Sequence, residues 1–396
     1  MKAAMDRSVS TRPRAGGAVL SIQYLRALAA LGVVLSHASI SLLPNERFVI
    51  PLKSGTAGVD IFFVISGFIM YYTTADRDVS PRQFLLRRVI RVAPLYFLFS
   101  TLGWLIARHS GISVHTFSPY LVDYIRSILF VPYYNVRTGV APFQIRPVVG
   151  QGWTLNYEMF FYAMFGACLL FRARARVYTL VGITVILSLI GAYAHPHGAL
   201  LHTYTDSLLL EFSFGLLLGY FYIQNINGHT ASPRTRSLQL AVGLALTTTA
   251  VIILIAEDVL KFGVPRILAF GLPAAGLVGG LLLLELAGRV RRWPFLLLLG
   301  DASYSLYLLH TFVLAVLHRV WERAFGASRV TSHVGFLITG GLLCEALGIV
   351  VFTYVERPMT QHISSFLHRH RVLRSEPRLS VAQVVGKKQQ ILRARA

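Results

Sequence analysis

The chain has 396 residues, of which 55% are hydrophobic and only 14% charged, yet it carries a formal net charge of +21 and just two cysteines. Its apolar residues recur in runs near the roughly 20 that cross a bilayer, which excludes a soluble globular enzyme. Cys168 and Cys344 both lie inside apolar runs, which excludes a disulfide framework and a cysteine-rich metal site, and basic residues flanking such runs read as topology and attraction to anionic membrane lipids, not as a nucleic-acid footprint.

In chain order the apolar runs predict ten spans, near 18–43, 55–74, 92–108, 153–171, 177–195, 205–224, 237–256, 265–287, 295–318 and 333–355. The expected fold is all-α, a polytopic membrane helix bundle. Alternate connections hold 26 of the 38 Lys and Arg residues, so the positive-inside rule makes both termini cytoplasmic. A basic cytoplasmic N-terminus, 1–17, precedes a transmembrane domain over 18–356. That domain includes a long outward-facing connection at 109–152, which contains Pro119, Pro132, Pro142 and Pro147. A basic cytoplasmic tail, 357–396, follows.

The first span places Arg26 and His37 eleven residues apart, almost three full turns, hence on one helix face. Ionisable groups inside a span must face the bundle interior or a wet cavity, which makes this pair a candidate site; snorkelling of Arg26 and carbonyl capping by His37 are the structural alternative. In the second span Asp60 enters the membrane early and needs a cationic partner, unless it caps the helix, while Ser66 and Gly67 permit close helix approach. Arg87, Arg88 and Arg91 then share about one helical turn, which suits either bidentate phosphate binding or anchoring to lipid headgroups.

After the long connection, Trp153, Tyr157 and Glu158 open a span. The carboxylate would orient an imidazole or a sugar hydroxyl and the aromatic faces would meet a sugar ring, an interfacial aromatic belt being the alternative. The ninth span sets Ser303 and His310 seven residues apart on one face, with Tyr307 near that stripe. Glu356, Arg357 and Pro358 are expected to stop the last helix.

Together these strings resemble the bacterial acyltransferase-3 family of integral-membrane O-acyltransferases, especially its exopolysaccharide-modifying branch. The resemblance runs over most of 20–360. It rests on Arg26-x10-His37, the run from Gly58 to Phe68, Arg88-x-x-Arg91-x-x-Pro94, the run from Gly152 to Tyr162, the run from Ser303 to His310, and Glu356-Arg357-Pro358. It implies a bacterial inner-membrane enzyme carrying an acyl group, commonly acetyl, from cytoplasmic acyl-coenzyme A to a hydroxyl of a surface polysaccharide or a lipid-linked saccharide, with no metal. It further implies that Arg26 and His37 form the essential pair and that Arg88 and Arg91 serve the donor.

On that reading His37 is a general base, with an acyl-histidine intermediate as the variant. Asp60 or Glu158 would orient its imidazole and Arg26 would neutralise developing charge. Ser303, Tyr307, His310, Trp153 and Tyr157 would face the acceptor. A transporter or flippase for a lipid-linked glycan is the alternative from another class, and a scaffold within polysaccharide assembly machinery a third.

Overall fold

The computed structural model describes residues 18–41, 53–75, 77, 79–109, 118–134, 145–227, 232–260, 263–325, 330–370 and 372–373. The expected N-terminal segment 1–17 and the tail beyond 373 lie outside the described residues. Thirteen α-helices appear in the order α1 (Leu20–Ser41), α2 (Ala57–Thr74), α3 (Pro81–His109), α4 (Leu121–Ile128), α5 (Trp153–Cys168), α6 (Ala173–Ala194) and α7 (Ala199–Tyr204), then α8 (Leu209–Asn227), α9 (Pro233–Leu260), α10 (Leu272–Leu286), α11 (Pro294–Phe325), α12 (Val330–Val351) and α13 (Arg357–Arg369). Among the described residues there is no strand beyond one isolated bridge between Tyr134 and Ile145, so the fold is all-α.

Nine helical stretches in the described residues are long and apolar enough to cross a membrane. The fourth predicted span, at 153–171, contracts to the 16 residues of α5, short of a crossing. Much of α5 is buried against α2, α3, α6 and α8, and Ser66 of α2 and Tyr307 of α11 bond its Glu158 and Thr154. The span expected at 92–108 belongs to a longer helix, α3, which starts at Pro81 and carries Arg87, Arg88 and Arg91 within it. Hydropathy marks only the apolar part of a helix, whereas backbone hydrogen bonding continues past it. For the same reason Glu356, Arg357 and Pro358 do not end the last helix: a π-turn at Phe352–Glu356 leads into α13, where Pro358 occupies the first turn and its missing N–H leaves nothing unsatisfied.

Small residues set the helix spacing. A side chain on Gly67 of α2 would meet the carbonyl oxygen of Phe212, and one on Gly215 of α8 would meet that of Val64, so α2 and α8 touch backbone to backbone. Helix α1 packs against α2, α10, α11 and α12. Its start is held by Glu285 from α10, which accepts from the Leu20 N–H at 3.0 Å, the Ser21 N–H at 2.8 Å and the Ser21 hydroxyl at 2.5 Å. A carboxylate meeting those orphan donors caps the helix from outside its own chain segment. Around the periphery α6 and α9 present apolar faces outward, as with Leu189 and Ile252, the pattern expected for lipid contact.

The connection between α3 and α5 is tied down where it is described. Ser127 of α4 donates to the Asp123 carbonyl at 2.6 Å and accepts from the Val148 N–H at 2.9 Å, and Trp104 donates to the Pro119 carbonyl at 3.1 Å. Pro142 lies outside the described residues.

The α2–α8 contact yields a stability test. Gly67→Leu should cost about 1–3 kcal/mol or more through overpacking, read as a lower unfolding temperature of the detergent-solubilised protein. Gly182→Leu, at a position with nothing within 4 Å, should leave that temperature nearly unchanged.

Candidate active site

Two polar clusters occupy opposite ends of the bundle, and α1 runs through both. Arg26 and His37 share one face of α1, about 16 Å apart along its axis at 1.5 Å per residue.

At the Arg26 end lies a cavity of about 380 Å³. Arg26, Arg77, Arg88 and Arg91 line it, together with Val59, Phe62, Phe63, Leu155 and Tyr307. Arg26 donates to Ser303 Oγ at 3.0 Å and to Gln23 Oε1 at 3.1 Å. Arg88 donates to Thr73 Oγ1 at 3.2 Å and lies over the rings of Phe84 and Tyr162, at 5.4 Å and 5.7 Å from their centroids. Glu158 faces the same space and accepts hydrogen bonds from Ser66, at 3.2 Å, and from the Tyr162 hydroxyl. Several guanidiniums around one opening, with aromatic walls that lower the local dielectric, make an anion-binding mouth. Neutral hydroxyls and an amide fix Arg26 in place and leave its charge available to a ligand.

At the other end His37 Nδ1 lies 2.9 Å from the Val33 carbonyl oxygen. A carbonyl can only accept, so this contact assigns the proton to Nδ1 and the lone pair to Nε2. The ring of His310, on α11, stands 5.0 Å from that of His37 and is fully buried. Arg146, on the docked connection, is within electrostatic range of His37, and burial lowers its guanidinium from the ordinary value. Tyr307 separates the two clusters. It lines the cavity, its ring is 6.0 Å from both Phe62 and His310, and its hydroxyl is held by Thr154 Oγ1 at 3.0 Å and the Gln151 carbonyl at 3.2 Å.

Residues 19–354 match the acyltransferase domain that defines the acyltransferase-3 family. The chain belongs to that family. It is a multi-pass membrane acyltransferase. Among the proteins it is similar to is the exopolysaccharide production protein ExoZ of Rhizobium meliloti (strain 1021), 35% identical over 314 residues that cover 77% of this chain and 89% of that one. Another is BcsY of Komagataeibacter xylinus, named as a candidate membrane-bound transacylase, 26% identical over 307 residues covering 73% of this chain and 71% of that one. No solved structure matches the chain significantly.

Within this family member the structure groups Arg26, Arg88, Arg91, Glu158, Ser303 and Tyr307 around one cavity and puts His37 beside His310. Other expectations are corrected. Asp60 does not orient His37: its carboxylate is fully buried and takes both Nε and a terminal nitrogen of Arg266, at 3.1 Å and 2.7 Å. Glu158 bonds Ser66 and Tyr162 instead of an imidazole, and the acceptor that orients His37 is a carbonyl of its own helix. The axial separation from His37 removes Arg26 as the group that would neutralise charge there. Tyr157, 2% exposed, is packed against Phe63 and Trp153, and Tyr157, Trp153 and Arg87 all stand outside the cavity lining.

Several site residues escaped sequence reasoning. Gln151 is buried and donates to the Tyr307 and Leu308 carbonyls and to Thr311 Oγ1 at 3.0–3.1 Å. Glu356 accepts from Ser305 at 2.5 Å, and Arg266 answers Asp60. Arg266 and Glu356 each adjoin a π-turn, at Ile267–Gly271 and Phe352–Glu356, where an extra residue per turn re-aims a side chain. A π-turn leaves no mark in a hydropathy pattern, although a buried Gln so near Trp153 was a readable signal.

The Asp60–Arg266 pair can be weighed by a double-mutant cycle. The Arg266 side chain is 37% exposed, so Asp60→Asn should lower stability by about 1–3 kcal/mol, less than breaking a fully buried pair, while Asp60→Asn with Arg266→Gln should cost clearly less than the sum of the single changes, measured as shifts in unfolding temperature.

Proposed function

We propose that this acyltransferase moves an acetyl group from acetyl-coenzyme A to a hydroxyl of an exopolysaccharide or its lipid-linked precursor in the bacterial inner membrane, with the arginine mouth cytoplasmic. The observation that carries the reading is that one helix, α1, presents Arg26 to an arginine-rimmed cavity and His37, in the tautomer of a base, to the cluster at the other end of the bundle. Arg77, Arg88 and Arg91 hold the phosphates of the nucleotide, because a guanidinium fork meets phosphate oxygens in pairs. The pantetheine arm runs along the cavity, and the thioester extends past Phe62 and Tyr307 toward His37. Apolar walls at Val59, Phe63 and Leu155 favour acetyl over succinyl, whose second carboxylate would lose its water there. His37 Nε2 then takes the proton of the attacking hydroxyl, a contribution of about 10²–10⁴-fold. The name of the relative ExoZ supports a polysaccharide acceptor, and the outward-docked connection around Arg146 lies on the side from which such an acceptor would arrive.

Two measurements check this. Membranes carrying the wild type, given radiolabelled acetyl-coenzyme A and surface polysaccharide from a host lacking the gene, should place label in the alkali-labile glycan fraction. His37→Ala should abolish that label at unchanged protein level, and a fully active His37→Ala enzyme would refute the scheme. Separately, Arg88→Ala and Arg91→Ala should each raise KM for acetyl-coenzyme A about tenfold or more with a smaller change in kcat, since each loses a charge-assisted contact made by the bound donor.

A further inference from the structure

The two buried histidines are not equivalent. His37 has its Nδ1 committed to the Val33 carbonyl, whereas neither ring nitrogen of His310 has an aligned hydrogen-bond partner among the described residues, although the side chain is fully buried. Any imidazole, charged or uncharged, carries at least one N–H. Burying that donor without an aligned partner is costly, and a hydrophobic residue of similar size would avoid the cost. The carbonyls nearest the ring, those of Leu306 and Tyr307, lie close to it, but neither is aligned with a ring nitrogen. The Leu306 carbonyl belongs to the α11 ladder, and Gln151 Nε2 donates to those of Tyr307 and Leu308 while also gripping Thr311. Gln151 thereby clamps the turn of α11 that carries His310, and holds the ring 5.0 Å from His37.

Acyl transfer creates a need that matches this unanswered donor. When the acceptor hydroxyl adds to the thioester carbonyl, a pair of electrons moves onto the carbonyl oxygen, and that oxyanion requires a fixed N–H about 3 Å away. Arg26 is too far along α1 to supply it.

We propose that His310 is the oxyanion donor of the reaction, its ring N–H directed at the carbonyl oxygen of the acyl group while His37 acts on the hydroxyl. This rests on His37 being the base. The step balances within the site. His37 Nε2 takes the hydroxyl proton as the new O–C bond forms. The oxyanion is held by His310, its collapse breaks the C–S bond, and the proton on His37 passes to the departing sulfur. Gln151 is then a positioning residue for His310.

The experiment compares full-length His310→Phe, His310→Gln and His310→Asn in the labelled acetyl transfer assay, with coenzyme A affinity measured in parallel. Phe fills the space without a donor, while the two amides restore an N–H near one ring nitrogen or the other. His310→Phe should lower kcat by about 10²–10³-fold, the effect of deleting one oxyanion donor, with KM for acetyl-coenzyme A and coenzyme A affinity nearly unchanged. At least one amide variant should recover tenfold or more of that loss. A His310→Phe enzyme with near wild-type kcat overturns the proposal, and so does equal impairment of all three variants, which would mark a packing role. His37→Ala keeps the two ideas apart. If it is inactive while His310→Phe is active, only the oxyanion assignment falls, whereas a fully active His37→Ala removes the base on which both depend.

Discussion

In a helix bundle bounded by lipid, every buried polar side chain must be answered from within the protein, because the surroundings offer no partner. That constraint organises this structure. Asp60 is answered by Arg266, Arg26 by Ser303 and Gln23, Ser305 by Glu356, and the start of α1 by Glu285. Apart from Arg26 with Gln23, both on α1, each pairing joins segments distant in sequence, so the polar groups act as tie points that fix rotation and register where apolar packing alone would let helices slide. Among the described residues several buried polar groups lack an aligned partner, and His310 is the one whose ring stands 5.0 Å from that of His37.

Helix α1 gains most from these ties. Glu285 holds its first turn, Tyr24 accepts from the Trp293 N–H at 2.8 Å and donates to the Arg291 carbonyl at 2.6 Å, and Gln23 donates to Asp301 at 3.0 Å. A helix anchored this way acts as a rigid bar carrying Arg26 and His37 at a set separation. Helix α11 lies against it with a matching order, Ser303 opposite Arg26 and His310 opposite His37. The site is thus built mainly on two helices, with α2, α3 and α5 closing the cavity beside them.

The described parts of the connection between α3 and α5 pack against the helices that carry the site. Through Ser127 and Val148 it docks on itself, and through Gln151 it reaches into α11 at the turn before His310. Tyr307, held by the same segment, forms the wall between the arginine-lined cavity and the histidine pair.

Spacing made part of this legible in advance. The eleven-residue interval from Arg26 to His37 and the seven-residue interval from Ser303 to His310 each put two polar groups on one face, because helix periodicity is a local property. The need of Asp60 for a cation was also readable, from the expense of a lone buried carboxylate. Which cation, and from which helix, was not, since Arg266 lies 206 positions away and its direction depends on a π-turn. Tyr157 and Trp153 looked like sugar platforms because composition cannot say whether an aromatic face is covered, and Phe63 covers Tyr157. The sequence by itself determined the class of fold, the helices and the faces on which chemistry could stand, all set by periods of a few residues. Only the tertiary structure decided which faces meet, that Arg26 and His37 lie at different ends of the bundle, and that His310 stands beside His37, because those facts arise from contacts between helices that no local pattern encodes.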